Sequence, residues 1–125
     1  MQIHAPEVVA AGTAAETQIS VNVFNGSIYT KVELRAGKQN DWQPMEHASV
    51  TDPAYMATWK AERALPKVNW TTLPDPRLST HIWQANLPAG LEPGIQLLEV
   101  RATSRAGQVW TGQRAIRITA PAAAE

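Results

Sequence analysis

The apolar positions along the chain follow two different periods. Ile19, Val21 and Val23 alternate with Ser20 and Asn22, and a period of two places the apolar members on one side of a half-buried strand. Asn25-Gly26 ends this run with a turn signal. In "YTKVELRAGKQNDWQPM", Val32 and Leu34 face one way while Lys31, Glu33 and Arg35 face the other. A polar turn over Ala36–Asp41 then leads to a short strand holding Trp42 and Met45. Alternating runs joined by a turn predict antiparallel neighbours. The last third repeats the pattern. "THIWQANLP" is a strand, "AGLEPG" a turn, and "IQLLEVRAT" a strand with Leu98, Val100 and Ala102 on one face. "SRAG" reverses the chain, and "QVWTGQRAIRI" closes the sheet with Ile116 and Ile118.

Between these β segments the period lengthens. "TDPAYMATWKAERALP" reads as a helix with Asp52 as N-cap, Pro53 at the first helical position and Pro66 as the stop. Tyr55 and Trp59, four apart, share a face, and Trp59 is expected to dock the helix on the sheets. "KVNWTTLPDPRLST" is a proline-rich connector. With the short strand-like opening "MQIHAP", about seven strands with regular turn signals predict a mainly β fold. The expected form is an immunoglobulin-like β-sandwich with one inserted short helix and a proline-rich loop; a barrel is the competing topology. The expected organisation is a single unit over residues 1–120, an insertion over about 52–79, and a tail at 121–125.

Totals narrow the choice of function. A chain of 125 residues can remove roughly two-thirds of its unfolded surface from water, enough for a core without staples. No cysteine means no disulfide, thiolate metal site or thiol nucleophile, though it does not fix the compartment. Eleven basic and eleven acidic residues cancel without long runs, so no broad basic face for nucleic acid is expected. No stretch approaches the ~20 apolar residues of a membrane span. The opening "MQIHAPEVVAAG" lacks a basic start followed by an apolar run, and strand-like sequence directly after Met1 is the pattern of a piece cut from a longer chain.

Candidate chemistry is sparse. His4, His47 and His81 are far apart and none has a second histidine at ligand spacing. Glu46-His47, with Asp41 nearby, reads as a solvated turn rather than a metal site. There is no GxSxG elbow and no phosphate-cradling glycine loop. Five tryptophans are the richest signal, because indoles supply packing area and also flat platforms for sugars. Trp83 shares a face with Ala85 and Leu87 and reads as core. Trp110 falls on the Ile116/Ile118 face if its strand is regular, unless Gly112 marks a bulge that turns it outward. Trp70, on the proline loop, is the best placed to meet something outside the domain. His81 starts the strand of Trp83 and reads as a hydrogen-bonded histidine at the core edge.

"VNVFNGS" at 21–27, "DPAY" at 52–55, the proline loop into "STHIW" at 79–83, and "LPAGLEPGIQLLEVRATSRAGQVWTGQRAIRI" together resemble the C-terminal domain of bacterial calcineurin-like metallophosphoesterases. The "TSRAG" turn departs from the resemblance, since that group more often has an aspartate and an aromatic residue there. The resemblance implies an accessory β-domain without catalytic residues or metal ligands of its own. Its partner would be the catalytic domain of the same polypeptide, whose two divalent metal ions activate water against a phosphate ester. It further implies a periplasmic or extracytoplasmic parent. Trp70, Arg77, His81, Trp83 and Trp110 are the positions that could face the catalytic domain or a ligand. A carbohydrate- or ligand-binding immunoglobulin-like module is the alternative, and two tryptophans lining one exposed groove would favour it.

Overall fold

The computed structural model describes residues 1–37 and 40–120, so the expected tail at 121–125 and the middle of the 36–41 turn lie outside the described residues. Among the described residues nine strands form two sheets: β1 (Gln2–His4), β2 (Val8–Ala10), β3 (Gln18–Asn22), β4 (Lys31–Ala36), β5 (Gln43–Pro44), β6 (Glu46–Thr51), β7 (Leu78–Asn86), β8 (Gly94–Thr103) and β9 (Val109–Thr119). One sheet has the order β1-β3-β7-β6 and the other β2-β9-β8-β4-β5. All pairings are antiparallel except β2 with β9. In immunoglobulin lettering this is A-B-E-D facing A′-G-F-C-C′, so the fold is an immunoglobulin-like sandwich.

The core forms where the two inward stripes meet. Ile19, Val21 and Trp83 from one sheet, with Leu87 just past the end of β7, pack with Val32, Leu34, Leu98, Val100, Ile116 and Ile118 from the other. Full burial of each large apolar side chain stabilises by about 1.5–3 kcal/mol relative to exposure.

Two strands exceed the sequence reading. Pro6 separates β1 from β2, and there the first strand changes sheets. The Arg117 N–H donates to the Glu7 carbonyl, 2.9 Å, as β2 joins β9. A three-residue strand whose partner lies more than a hundred positions away leaves little local signal. The segment "EHASVT" forms β6, which corrects the reading of Glu46-His47 as a solvated turn. As the edge strand of its sheet it has no fully buried residue, so its composition stays polar.

The helix α1 (Pro53–Arg63) begins as expected: Asp52 Oδ1 accepts from the backbone N–H groups of Ala54 (2.7 Å) and Tyr55 (3.4 Å). It contributes nothing to the inter-sheet core. One tie to the sandwich is polar, because the other Asp52 carboxylate oxygen accepts from the Asn22 side chain. Asn22 pairs with Ile82 across β3 and β7, on the face turned away from the core. Ile82 is fully buried yet outside the core cluster, so that outer face is covered where the helix begins.

Candidate functional site

Strand direction decides which connections meet. β3 and β6 run toward one end of the sandwich and β4 and β7 start from it, while β8 arrives there and β9 leaves. Met1, the 23–30 connection, both ends of the 52–77 insertion and the 104–108 turn therefore share one end. Trp70, Arg77, His81 and Trp110 all belong to that end or to its insertion, and Trp83 lies one inward position below His81.

His81 and Trp83 converge on Gly26. The His81 ring nitrogen Nδ1 lies 2.8 Å from the Gly26 carbonyl. A carbonyl only accepts, so Nδ1 carries the hydrogen. A Cβ on Gly26 would sit 2.5 Å from Cη2 and 2.7 Å from Cζ3 of Trp83, which is 2% exposed. The pair thus anchors the Asn25-Gly26 turn to the top of the core: the imidazole holds the backbone oxygen and the indole occupies the space a side chain would need. Trp83 is enclosed, and it can reach a partner only through the shape of this turn. On its other side His47 of β6 tilts over the indole, with ring centroids 4.8 Å apart, and His47 Nε2 donates to the Thr80 carbonyl at 2.7 Å.

Trp110 is 36% exposed. The β8–β9 register runs unbroken from Gly94↔Ile118 to Thr103↔Val109, so Gly112 is not a bulge and does not turn Trp110 outward. Gly112 instead makes room for the amino terminus, since a Cβ there would meet Met1 Sδ at 2.8 Å. Trp110 shares the inward parity of Ile116 and Ile118 but stands beyond the core, beside Met1 and Phe24 in a depression of about 160 Å³.

The insertion is stapled by one carboxylate. Glu62 Oε2 accepts from the Trp70 indole N–H at 3.1 Å, and Oε1 accepts from the Leu73 backbone N–H at 2.7 Å. These two hydrogen bonds, the indole's being the larger effect, hold the Glu62 carboxyl below its ordinary range. Trp70 remains 54% exposed. Arg77 is exposed on the returning limb, lining a cleft of about 440 Å³ with Thr51, Asp52, Tyr55, Pro74 and Asp75. The Tyr55 hydroxyl donates to the Pro74 carbonyl at 2.7 Å and closes its floor. Trp70 and Trp110 line separate depressions, not the shared groove expected of a sugar-binding module.

The outer face of the second sheet carries a cluster that the sequence pattern did not single out. Glu33 pairs with Arg101 and Arg35 with Glu99 directly across β4 and β8, at 2.9 Å and 3.0 Å. Both guanidinium groups lie over Trp42, 4.4 Å and 4.3 Å from the ring centroid. Alternating charges in "KVELR" and "LEVRAT" were the available signal, but the register that aligns opposite signs was not legible.

Among the described residues no three histidine, cysteine, aspartate or glutamate side chains gather as a metal site. The donor sets do not fit the implied metal pair. His47 and His81 are spent on backbone carbonyls, and His4 lies 3.7 Å from one oxygen of Asp52, a carboxylate already engaged as a helix cap. No described helix is long and apolar enough to cross a membrane.

Fold and site together define an immunoglobulin-like module with a filled core and a ring of loops at one end. The chain belongs to the family described as the C-terminal part of calcineurin-like phosphoesterase, whose model matches residues 1–110. The match stops at the second residue of β9, whereas the fold needs all of β9, which lies between β2 and β8. No curated protein and no solved structure gives a significant match.

Proposed function

We propose that this chain is a non-catalytic accessory domain of a calcineurin-like phosphoesterase. It packs on the metal-dependent catalytic domain of the same polypeptide and forms one side of the substrate cleft. The observation that supports this reading is the family match to the C-terminal part of a calcineurin-like phosphoesterase, joined by the lack of any metal-holding cluster among the described residues. A water-activating metal pair needs several convergent carboxylates and imidazoles. Here His47 and His81 are held on backbone carbonyls, and the Asp52 and Glu62 carboxylates cap and staple the insertion. Residues 1–120 act as one unit in this proposal, with the 52–77 insertion as its appendage. Trp70, Arg77 and Trp110 are the exposed candidates for interdomain contact, and His81 and Trp83 shape the turn beside them.

The test is hydrolysis of a generic phosphodiester by the purified chain with added Mn²⁺ or Zn²⁺. No turnover above the metal-only blank is expected. Turnover that purifies with the chain and disappears with chelator would overturn the proposal.

A further inference from the structure

The exposed apolar side chains are unevenly distributed. Among the described residues ten large hydrophobic side chains are exposed, and five of them, Phe24, Ile28, Tyr29, Val109 and Trp110, lie in the 23–30 connection and at the start of β9. Val8 and Ile95, which flank Arg117 on adjacent strands, sit toward the opposite end. Three of the five are tied to this end by their neighbours. Phe24 and Trp110 line a single depression with Met1, and Arg105 of the 104–108 turn lies 4.9 Å over the Tyr29 ring. Concentrated apolar exposure of this kind marks an interaction surface, whereas scattered apolar residues do not.

The family description points to what covers it, and the position of Met1 to where. Met1 packs against the core and its thioether fills the space above Gly112, so the backbone emerges within this patch. In a family defined as the C-terminal part of a phosphoesterase, the catalytic body connects through the amino-terminal side of this position. A domain tethered there is held at high effective concentration over the nearest surface. The nearest surface is the apolar one.

We infer that the sandwich end built from Phe24, Ile28, Tyr29, Val109 and Trp110 around Met1 is the docking surface for the catalytic domain of a calcineurin-like phosphoesterase. This rests on the function proposed above and adds which face is used. The turn that His81 and Trp83 hold in place is then a preformed part of the interface, which lowers the ordering cost of docking.

Hydrogen–deuterium exchange tests this by comparing the chain alone with the polypeptide in which it follows its catalytic domain. Attachment is expected to slow exchange about tenfold or more in peptides covering 23–30 and 104–111. Phe24→Glu combined with Tyr29→Glu should return those peptides to the rate of the free chain, while Val8→Glu combined with Ile95→Glu should not. Both pairs are exposed, and a thermal melt of each isolated variant checks that folding is kept. Protection found only at 8–10 and 94–97, or only within 52–77, overturns the surface assignment and leaves the accessory role standing. No protection anywhere overturns both. Sedimentation of the free chain as a dimer that Phe24→Glu dissociates would make the occupant a second copy, and it overturns the inference.

Discussion

Gly26→Ala is the most informative single change, because it tests whether the turn is pinned by close packing against a buried ring. Gly26 is not among the glycines with positive φ, so alanine meets no backbone strain there. The effect must come from space. The new methyl would lie 2.5 Å and 2.7 Å from two indole carbons and 3.0 Å from the Val23 carbonyl oxygen. Trp83 cannot step aside, being 2% exposed within a filled core. Overpacking of this sort costs about 1–3 kcal/mol. With a urea m-value of about 2 kcal/mol per molar, a loss of about 2 kcal/mol moves the unfolding midpoint down by about 1 M. Tryptophan fluorescence during urea titration reads this directly, and the m-value should not change. Gly12→Ala is the control, since a Cβ there meets nothing within 4 Å. Trp83→Phe, which removes the clashing ring atoms, should relieve part of the penalty, giving a coupling of about 0.5–3 kcal/mol in the double-mutant cycle. A Gly26→Ala protein as stable as the parent, or a cycle with no coupling, would refute the reasoning.

Three further outcomes are expected. Asp52→Ala removes the helix cap and the Asn22 contact, and should lower stability by about 1 kcal/mol with loss of helical signal in circular dichroism. The folded Glu62 pKa is lowered, so its contribution is full above the unfolded carboxylate value of about 4.3 and fades as pH falls through the folded value. Acidification should therefore release the Trp70 indole N–H, seen as movement of its NMR resonance, and Glu62→Gln should flatten that transition. Chelator should leave the melting temperature unchanged, because no described cluster holds a metal; a fall of several degrees would show a structural ion.

Local pattern was sufficient wherever a stretch carried its own instructions. The alternation in 19–23, 31–35 and 94–103 declares strands whatever they later pair with. Asp52-Pro53 declares a helix start because capping is satisfied within one turn. The crowding of Gly26 against Trp83 was not legible, since the two are far apart in sequence and meet only when β3 and β7 align. The same holds for β6, whose polar sequence becomes a strand only by pairing with β7, and for the regular course of Trp110, which depended on whether β9 kept register past Gly112.

By itself the sequence determined a two-period β-rich chain, a capped helix in an insertion, and the lack of any short-range catalytic or metal-binding motif. Only the tertiary structure decided that Met1, the 23–30 connection, the insertion and the 104–108 turn meet at one end, and that His81 is spent on the Gly26 backbone. The reason is physical: periodicity and capping are settled over a few residues, whereas strand order and register are fixed by which inward stripes fill a common core, and that choice involves the whole chain at once.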